Sequence, residues 1–470
     1  MENKYKRLFK NTLWTLGGNT GSKLLAFILL PYYTRWLGTD GYGMSDLITT
    51  YSSLMLGLIT LCAADGIFVF TKNKKKEESS IYFTTISLFT LGLFFLWAIG
   101  CCIVKSIYAE SSSFFIDHLW LILLMVLSLF IQNYTQQYVI SLDKMKVYSL
   151  TGMVLCITTF ILSFLLIPEY GVVGYVYSII IANLITSVYS VLASFSYRFF
   201  KPSSFDFQII RPFLIYTVPL IPNSIMWWIV NALNRPLMEQ HLGLSQIGIY
   251  AVANKFPGII TMVFGLFAVS WNISLFEEYD KPAYSVFYTK TFKTLFLSMF
   301  VCCFALMCFS KTIIGIFAAP EFFSAWQFTV LLTIGSFLSC FSTFFGTIFS
   351  VVKQSKYLFY SSIWGAVVSL LLNFILIPLW GLYGASISVC VSFLAMALSR
   401  YIYSRKYVEA SLSLDLLVYI LSMTILAFGL LGFMNALFSV ILVILSLSIV
   451  LLYNHRTLTS LVVAVRKKCN

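Results

Sequence analysis

Charge is what this chain has least of. Asp, Glu, Lys and Arg make up 10% of its 470 residues and only 18 of them are acidic, whereas an average soluble domain is about a quarter charged. That scarcity excludes a water-soluble globular protein and a catalytic cluster of carboxylates. Histidines number three, His118, His241 and His455; all lie at the ends of apolar runs or in the tail, so neither a histidine metal site nor a catalytic triad can be assembled from them. Nine of the ten cysteines fall inside apolar runs, Cys469 is in the tail, and no loop carries a C-x-x-C pair. This excludes a disulfide framework and a zinc site and leaves the cysteines as small hydrophobes. The basic start, MENKYKRLFK, is followed by no small-residue cleavage site, so the first apolar run is read as a retained span rather than a signal peptide.

What the chain has instead is apolar length. Hydrophobic residues make up 59% of it, in recurrent runs of about 20 residues, each able to cross a hydrocarbon core of about 30 Å. The reading is an all-α polytopic membrane protein with about fourteen transmembrane helices: 11–34, 44–70, 80–104, 118–141, 148–168, 174–197, 213–234, 246–272, 292–310, 326–350, 357–378, 383–403, 414–433 and 436–453. With both termini inside, 25 of the 31 Lys and Arg residues fall in cytoplasmic segments and four, Arg35, Lys105, Arg235 and Lys311, fall outside, as the positive-inside rule requires. The net charge of +13 is therefore spread through short loops that anchor spans, and no nucleic-acid partner is read from it. Outside loops are too short for a soluble catalytic domain. The cytoplasmic stretch SLFEEYDKPAYSVFYTKTF (274–292) reads as interfacial, with Glu277, Glu278 and Asp280 on a solvated face.

The chain repeats itself. LSFLLIPEYGVVG (Leu162–Gly174) returns as LNFILIPLWGLYG (Leu372–Gly384), with seven identities in thirteen positions. PYYTRWLGTDGYG (Pro31–Gly43) weakly matches PLMEQHLGLSQIG (Pro236–Gly248). Six spans lie in each unit, so both halves enter the membrane with the same orientation, as in transporters built from parallel repeats. The expected division is an N-terminal six-helix lobe, 1–200, a C-terminal six-helix lobe, 201–408, and a helical hairpin with its tail, 409–470.

Two lysines stand inside spans. Lys23 lies about 18 Å along its helix from Asn11, and Lys255 is about 13 Å deep in its own. A lysine at the bilayer centre costs about 2.5–3.5 kcal/mol on insertion scales. Such a charge either snorkels or pairs structurally, or it faces a bundle interior and marks a pathway. The substrate-binding set read from the sequence is Lys23, Lys255, Asn19, Asn254, Arg35 and Arg235. Asp65 is the acid placed well inside a span, about 8 Å from its cytoplasmic end; it is read as a water-bridged partner of Lys23, which leans toward its depth, as a coupling-ion or proton site, or as an interfacial carboxylate. The run QNYTQQ puts Gln132 with Gln136, and Asn133 with Gln137, one turn apart. That stripe either lines an aqueous path or ties helices together. Pro219, Pro222 and Pro257 remove backbone donors, and a bend is expected near each.

Taken with their order and spacing, NTLWTLGGNTGSKLLAFILLPYYTRWLGTDGYG, IGIYAVANKFPG, SWNISLFEEYD and the doubled IPxxGxxG resemble the polysaccharide-export branch of the multidrug/oligosaccharidyl-lipid/polysaccharide flippase superfamily, the O-antigen-type flippases. The resemblance spans essentially the whole chain; one departure is Asn272 after Trp271, where many relatives carry proline. It implies a flippase of the bacterial cytoplasmic membrane that moves an undecaprenyl-diphosphate-linked oligosaccharide outward through a cationic central cavity, with Lys255 where relatives often carry a lysine. It implies no catalysis and no cofactor or metal. The implied partners are the lipid-linked oligosaccharide, membrane lipid, a coupling proton or sodium ion and a polysaccharide polymerase. Two rivals are weaker. A multidrug antiporter of the same superfamily would use its cavity for cations that two lysines repel, and a membrane glycosyltransferase or glycan polymerase would need the carboxylate cluster that is missing.

The orientation is directly testable. In a cysteine-free background, a cysteine at Gln240 is expected to react with an impermeant thiol reagent added to intact cells, and one at Lys75 or Ser203 to stay unlabelled. Labelling at Lys75 would overturn the assignment.

Overall fold

The computed structural model describes the backbone of residues 2–72, 74–107, 113–279, 281–282, 284–408, 412–432, 436–455 and 459, with side chains from residue 27 onward apart from 269, 273 and 436. The described chain is helical throughout, without strands. Its α-helices are α1 (Glu2–Ile59), α2 (Ala63–Thr71), α3 (Lys76–Ile107), α4 (Phe114–Asp117), α5 (Leu119–Ser141), α6 (Met145–Ser194), α7 (Ile210–Thr217), α8 (Leu220–Ala232) and α9 (Asn234–Leu242). They continue as α10 (Leu244–Lys255), α11 (Pro257–Glu278), α12 (Tyr284–Cys308), α13 (Ser310–Phe317), α14 (Ala325–Val351), α15 (Lys356–Ser404), α16 (Ser413–Leu431) and α17 (Ala436–Tyr453). They sort into two compact units, Met1–Trp228 with Leu244–Gly248, and Ile229–Gly243 with Ile249–Asn470.

Among the described residues, eight helices are long and apolar enough to cross a membrane, or ten if two bent pairs each count as one span. This differs from fourteen separate spans because several expected spans are joined. The longest helices are folded rather than straight. In α6, Ser163 and Ser178 would stand about 22 Å apart on a straight helix, yet their hydroxyls are 3.2 Å apart. In α15, Arg400 Nε donates to Ser361 Oγ at 2.9 Å across 39 residues, about 58 Å of straight helix. Both are helical hairpins that reverse at the doubled sequence motif. Gly171 and Gly381 take φ of +55° there, the left-handed conformation that ends helices and favours glycine. Three residues on, Gly174 and Gly384 lie so close to the carbonyls of Leu166 and Leu376 that an added Cβ would sit 2.1 and 2.0 Å from the oxygen. The repeated glycines are thus two copies of one tight turn.

Burial is arranged for lipid. Leu96, Ile107 and Leu452 are 69%, 70% and 73% exposed, while the buried face of α6 carries Ser163, Ser178, Ser187, Ser190 and Ser194. Small polar residues let helix backbones approach and bond where no hydrophobic effect drives association. In the first unit, Ile48, Ile59, Phe94, Ile122 and Val126 form one apolar cluster. In the second, Trp271 stacks on Phe344 at 4.6 Å and donates its indole N–H to Thr347 Oγ1 at 2.9 Å, fixing α11 against α14. The stretch expected as an interfacial loop is shorter than the sequence implies: α11 runs to Glu278, α12 starts at Tyr284, and Glu278 pairs with Lys281. Asp280 lies outside the described residues.

Replacing Gly171 or Gly381 by Ala is expected to cost about 1–2 kcal/mol through φ alone. Gly174→Ala or Gly384→Ala should cost more, because backbone must move. Gly100→Ala, with nothing within 4 Å of the added carbon, should be neutral or slightly stabilising. Thermal unfolding of the purified variants in detergent measures this order.

Candidate functional site

In the first unit the expected second span is broken. α1 and α2 meet at 47°, and the turn between them puts Leu61 at φ +49° and Cys62 at φ +55°. Neither is a glycine, and the left-handed conformation costs an ordinary residue about 1–2 kcal/mol. Strain of this kind persists only where the surrounding fold imposes it, and it clusters at functional sites. The break starts a new helix in mid-span, with Asp65 in its first turn, where the helix dipole favours negative charge.

A cavity of about 310 Å³ opens at this break. It brings Asp65 together with Asn133, Gln136 and Gln137 of α5, with Tyr148 of α6 and with Ser224 of α8. Gln136 is tied to Thr151 at 3.1 Å, and the Cys62 thiol lies 3.6 Å from Ser224 Oγ. Asp65 is exposed to the cavity and makes no hydrogen bond or ion pair among the described residues. The glutamine stripe therefore divides its work. Gln132 is buried away from the cavity, while the next turns face it. One carboxylate among neutral amide and hydroxyl oxygens is a donor set for a proton or a small hard cation. Among the described residues no group of three or more His, Cys, Asp or Glu could hold a metal ion.

In the second unit, Lys255 is the last residue of α10, about 16 Å along it. It is exposed, with no hydrogen bond or ion pair among the described residues. Asn254 beside it is half-buried. The proline that follows does less than expected. Phe256 keeps helical angles, φ −70° and ψ −44°, so α10 and α11 continue as one span and no sharp bend forms. Pro257 does leave the carbonyl of Ala253 without its usual donor. The hydroxyl of Thr329 stands in at 3.1 Å, shared with its own Ala325 carbonyl at 3.0 Å. The bend expected at Pro219 and Pro222 is real: α7 and α8 meet at 43°.

Of the remaining expected residues, Arg35 is exposed on α1. Arg235 is 7% exposed and is held within its unit rather than presented: it donates to the Asn231 carbonyl and to Asn234 Oδ1, and lies 5.1 Å from the Tyr250 ring centre. Lys23 and Asn19 lie outside the described side chains.

Two charged residues escaped the sequence reading. Arg400, near the end of the expected span 383–403, is 4% exposed and bonds Ser361, Ser362 and the Ser342 carbonyl. Asp415, at the start of the expected span 414–433, is 2% exposed and sits 3.5 Å from the Lys293 ammonium. Each lies near a span end, where hydropathy cannot distinguish a solvated charge from a buried one.

The family model described as polysaccharide biosynthesis protein matches residues 8–271. The Lsg locus putative protein 1 of Haemophilus influenzae is 33% identical over 112 residues, 23% of this chain and only 28% of that protein. An uncharacterized membrane protein of Methanocaldococcus jannaschii is 22% identical over 83% of this chain and 96% of its own length. Among solved structures, the lipid II flippase MurJ in an inward closed conformation is similar with a TM-score of 0.67 at 16% identity, covering 97% of this chain and all of that one. An inward-facing multidrug resistance MATE family transporter of the MOP superfamily reaches 0.62 at 15%, covering 82% of this chain and 97% of that one. These two likenesses establish the fold.

Thr329→Val should cost about 1–3 kcal/mol, the price of a buried carbonyl left unpaired. In a Pro257→Ala background the same change should cost clearly less, since the restored N–H supplies the donor. A double-mutant cycle on thermal unfolding reads the difference.

Proposed function

We propose that this chain, which belongs to the polysaccharide biosynthesis protein family, is a flippase. Its substrate is an oligosaccharide linked through a diphosphate to a polyprenyl lipid, such as an O-antigen or capsule repeat unit. It carries this substrate from the cytoplasmic to the outer leaflet of a bacterial cytoplasmic membrane, with both its termini in the cytoplasm.

The observation that supports this reading most is Lys255, an exposed cation within an apolar span that has no acidic partner among the described residues. A charge there costs about 2.5–3.5 kcal/mol, and an anion at 4 Å returns about 4 kcal/mol at an effective dielectric of 20. A diphosphate in transit therefore makes the position tolerable, and a cationic drug would make it worse. Lys23 is given the same role, and Asn19, Asn254 and Arg35 that of polar contacts along the route. Arg235, already engaged within its unit, is given an indirect one. The likeness to a lipid II flippase supports the substrate class, because that protein's named cargo is also carried on a lipid. Transport runs by alternating access, with the repeats 1–200 and 201–408 as the moving bodies. Asp65 and its polar cavity hold the coupling proton or sodium ion, and a polysaccharide polymerase receives the product.

Lys255→Ala is expected to weaken binding of a polyprenyl-diphosphate oligosaccharide to the purified protein at least tenfold, since 1.4 kcal/mol is a factor of ten. In cells it should lower surface glycan and leave lipid-linked material on the cytoplasmic side. Lys255→Arg should keep part of the activity, because the charge survives with altered geometry. Normal surface glycan from a well-expressed protein lacking both Lys23 and Lys255 would rule the phosphate contact out.

A further inference from the structure

A second recess, of about 660 Å³, lies at the end of the first unit that the positive-inside rule assigns to the cytoplasm. The start of α3, the turn after α5 and the segment after α6 converge there. They line it with five cations, Lys74, Lys76, Lys144, Arg198 and Lys201, against two carboxylates, Glu77 and Asp143. One member of each sign is paired from outside the lining, Asp143 with Lys72 at 2.6 Å and Lys74 with Glu78 at 3.1 Å, which leaves Lys76, Lys144, Arg198 and Lys201 facing Glu77. Lysines that merely anchor a span point into open water and keep apart. Here the fold gathers them into a concavity.

Phe195 shows how. It ends α6 in the left-handed conformation, φ +55° and ψ +25°, which a bulky side chain adopts only when its surroundings impose it. The turn leaves its ring 49% exposed, with two cations against it: Lys144 Nζ at 5.3 Å and the Arg198 guanidinium at 5.1 Å from the ring centre. Lys144 is fixed further by donating to the Ser194 carbonyl. Two like charges are thus held beside one ring by a strained turn, and the ammonium groups of Lys76 and Lys201 on the same recess make no hydrogen bond or ion pair among the described residues. Such an arrangement raises the energy of the empty site and lowers it once a multiply charged anion enters.

We propose that this recess binds a phosphate-bearing anion of charge two or more, with Arg198 as the planar, bidentate contact and Lys144, Lys76 and Lys201 as surrounding point charges. Basic pockets between helices on the cytoplasmic side suit acidic headgroups, and a soluble polyphosphate carries the same chemistry. The proposal does not depend on the transport reading, since the site would bind whether or not the chain moves a glycan.

The test uses the full-length protein in phosphatidylcholine nanodiscs. Cardiolipin added to the discs and inorganic pyrophosphate added to the buffer are separate arms, read by thermal unfolding and by native mass spectrometry. The wild type should be stabilised in at least one arm, and the effect should fall as salt rises. Arg198→Gln should weaken the binding at least tenfold. Lys201→Gln, which keeps the backbone bond to Thr84 and removes only an ammonium without a partner among the described residues, should weaken it several-fold without lowering the unfolding temperature of the unliganded protein. Lys356→Gln, a basic residue of the second unit, should leave it unchanged. Response to cardiolipin alone assigns a lipid headgroup, and response to pyrophosphate assigns a soluble phosphate. No response in either arm, or equal binding by Arg198→Gln and Lys201→Gln, overturns the proposal and leaves these residues as solvated anchors.

Discussion

A helix that breaks inside hydrocarbon exposes backbone N–H and C=O groups that nothing in the lipid can satisfy. Each interruption of this chain can be understood from how it meets that constraint. At Gly171 and Gly381 the break is a complete reversal between two spans, at their ends and not in mid-span, and the close approach of Gly174 and Gly384 to the preceding turn packs backbone on backbone. At Pro257 the loss is one donor, and Thr329 supplies another, so the span stays nearly straight. At Thr60–Cys62 the break instead opens on a cavity lined by amides, hydroxyls and a carboxylate. The first two breaks are sealed by the protein; the third is tolerated because its surroundings are polar.

The same rule sorts the charges. Arg400 is buried against three hydroxyl or carbonyl oxygens, and Asp415 faces Lys293. Removing a partner from either would leave an uncompensated buried charge, which is far more damaging than the intact group is stabilising. Both therefore read as ties between helices. Asp65 and Lys255 differ, since each is exposed and carries no ion pair among the described residues. Under the proposed function, these two charges are left open for a ligand that comes and goes. On that reading an anion meets Lys255 and a proton or cation meets Asp65, two signs that suit a transporter coupling one to the other.

Much of the fold was legible because membrane folding is dominated by hydropathy and by glycine. The apolar runs, the bend at Pro219 and Pro222, and the paired IPxxGxxG turns all act locally, so the residues that cause them sit where the effect appears. The candidate site was legible only in fragments. Asp65 and the glutamine stripe stood out as polar residues in apolar runs, but nothing in the order of residues says that they share a cavity with Ser224, which lies far along the chain from both.

By itself, then, the sequence determined that this is an all-helical membrane protein with a duplicated turn and charge inside its spans, because length, hydropathy and backbone conformational preference are properties of short segments. Tertiary structure alone decided three things. It broke the helix at Leu61 and Cys62, where no glycine or proline marks the site and only packing can impose a left-handed backbone. It buried Arg400 and Asp415, which hydropathy treats as flanking charges, because burial depends on neighbours from distant helices. And it gathered Lys76, Lys144 and Arg198 from three separate segments into one recess, because electrostatic fields add in space and not along the chain.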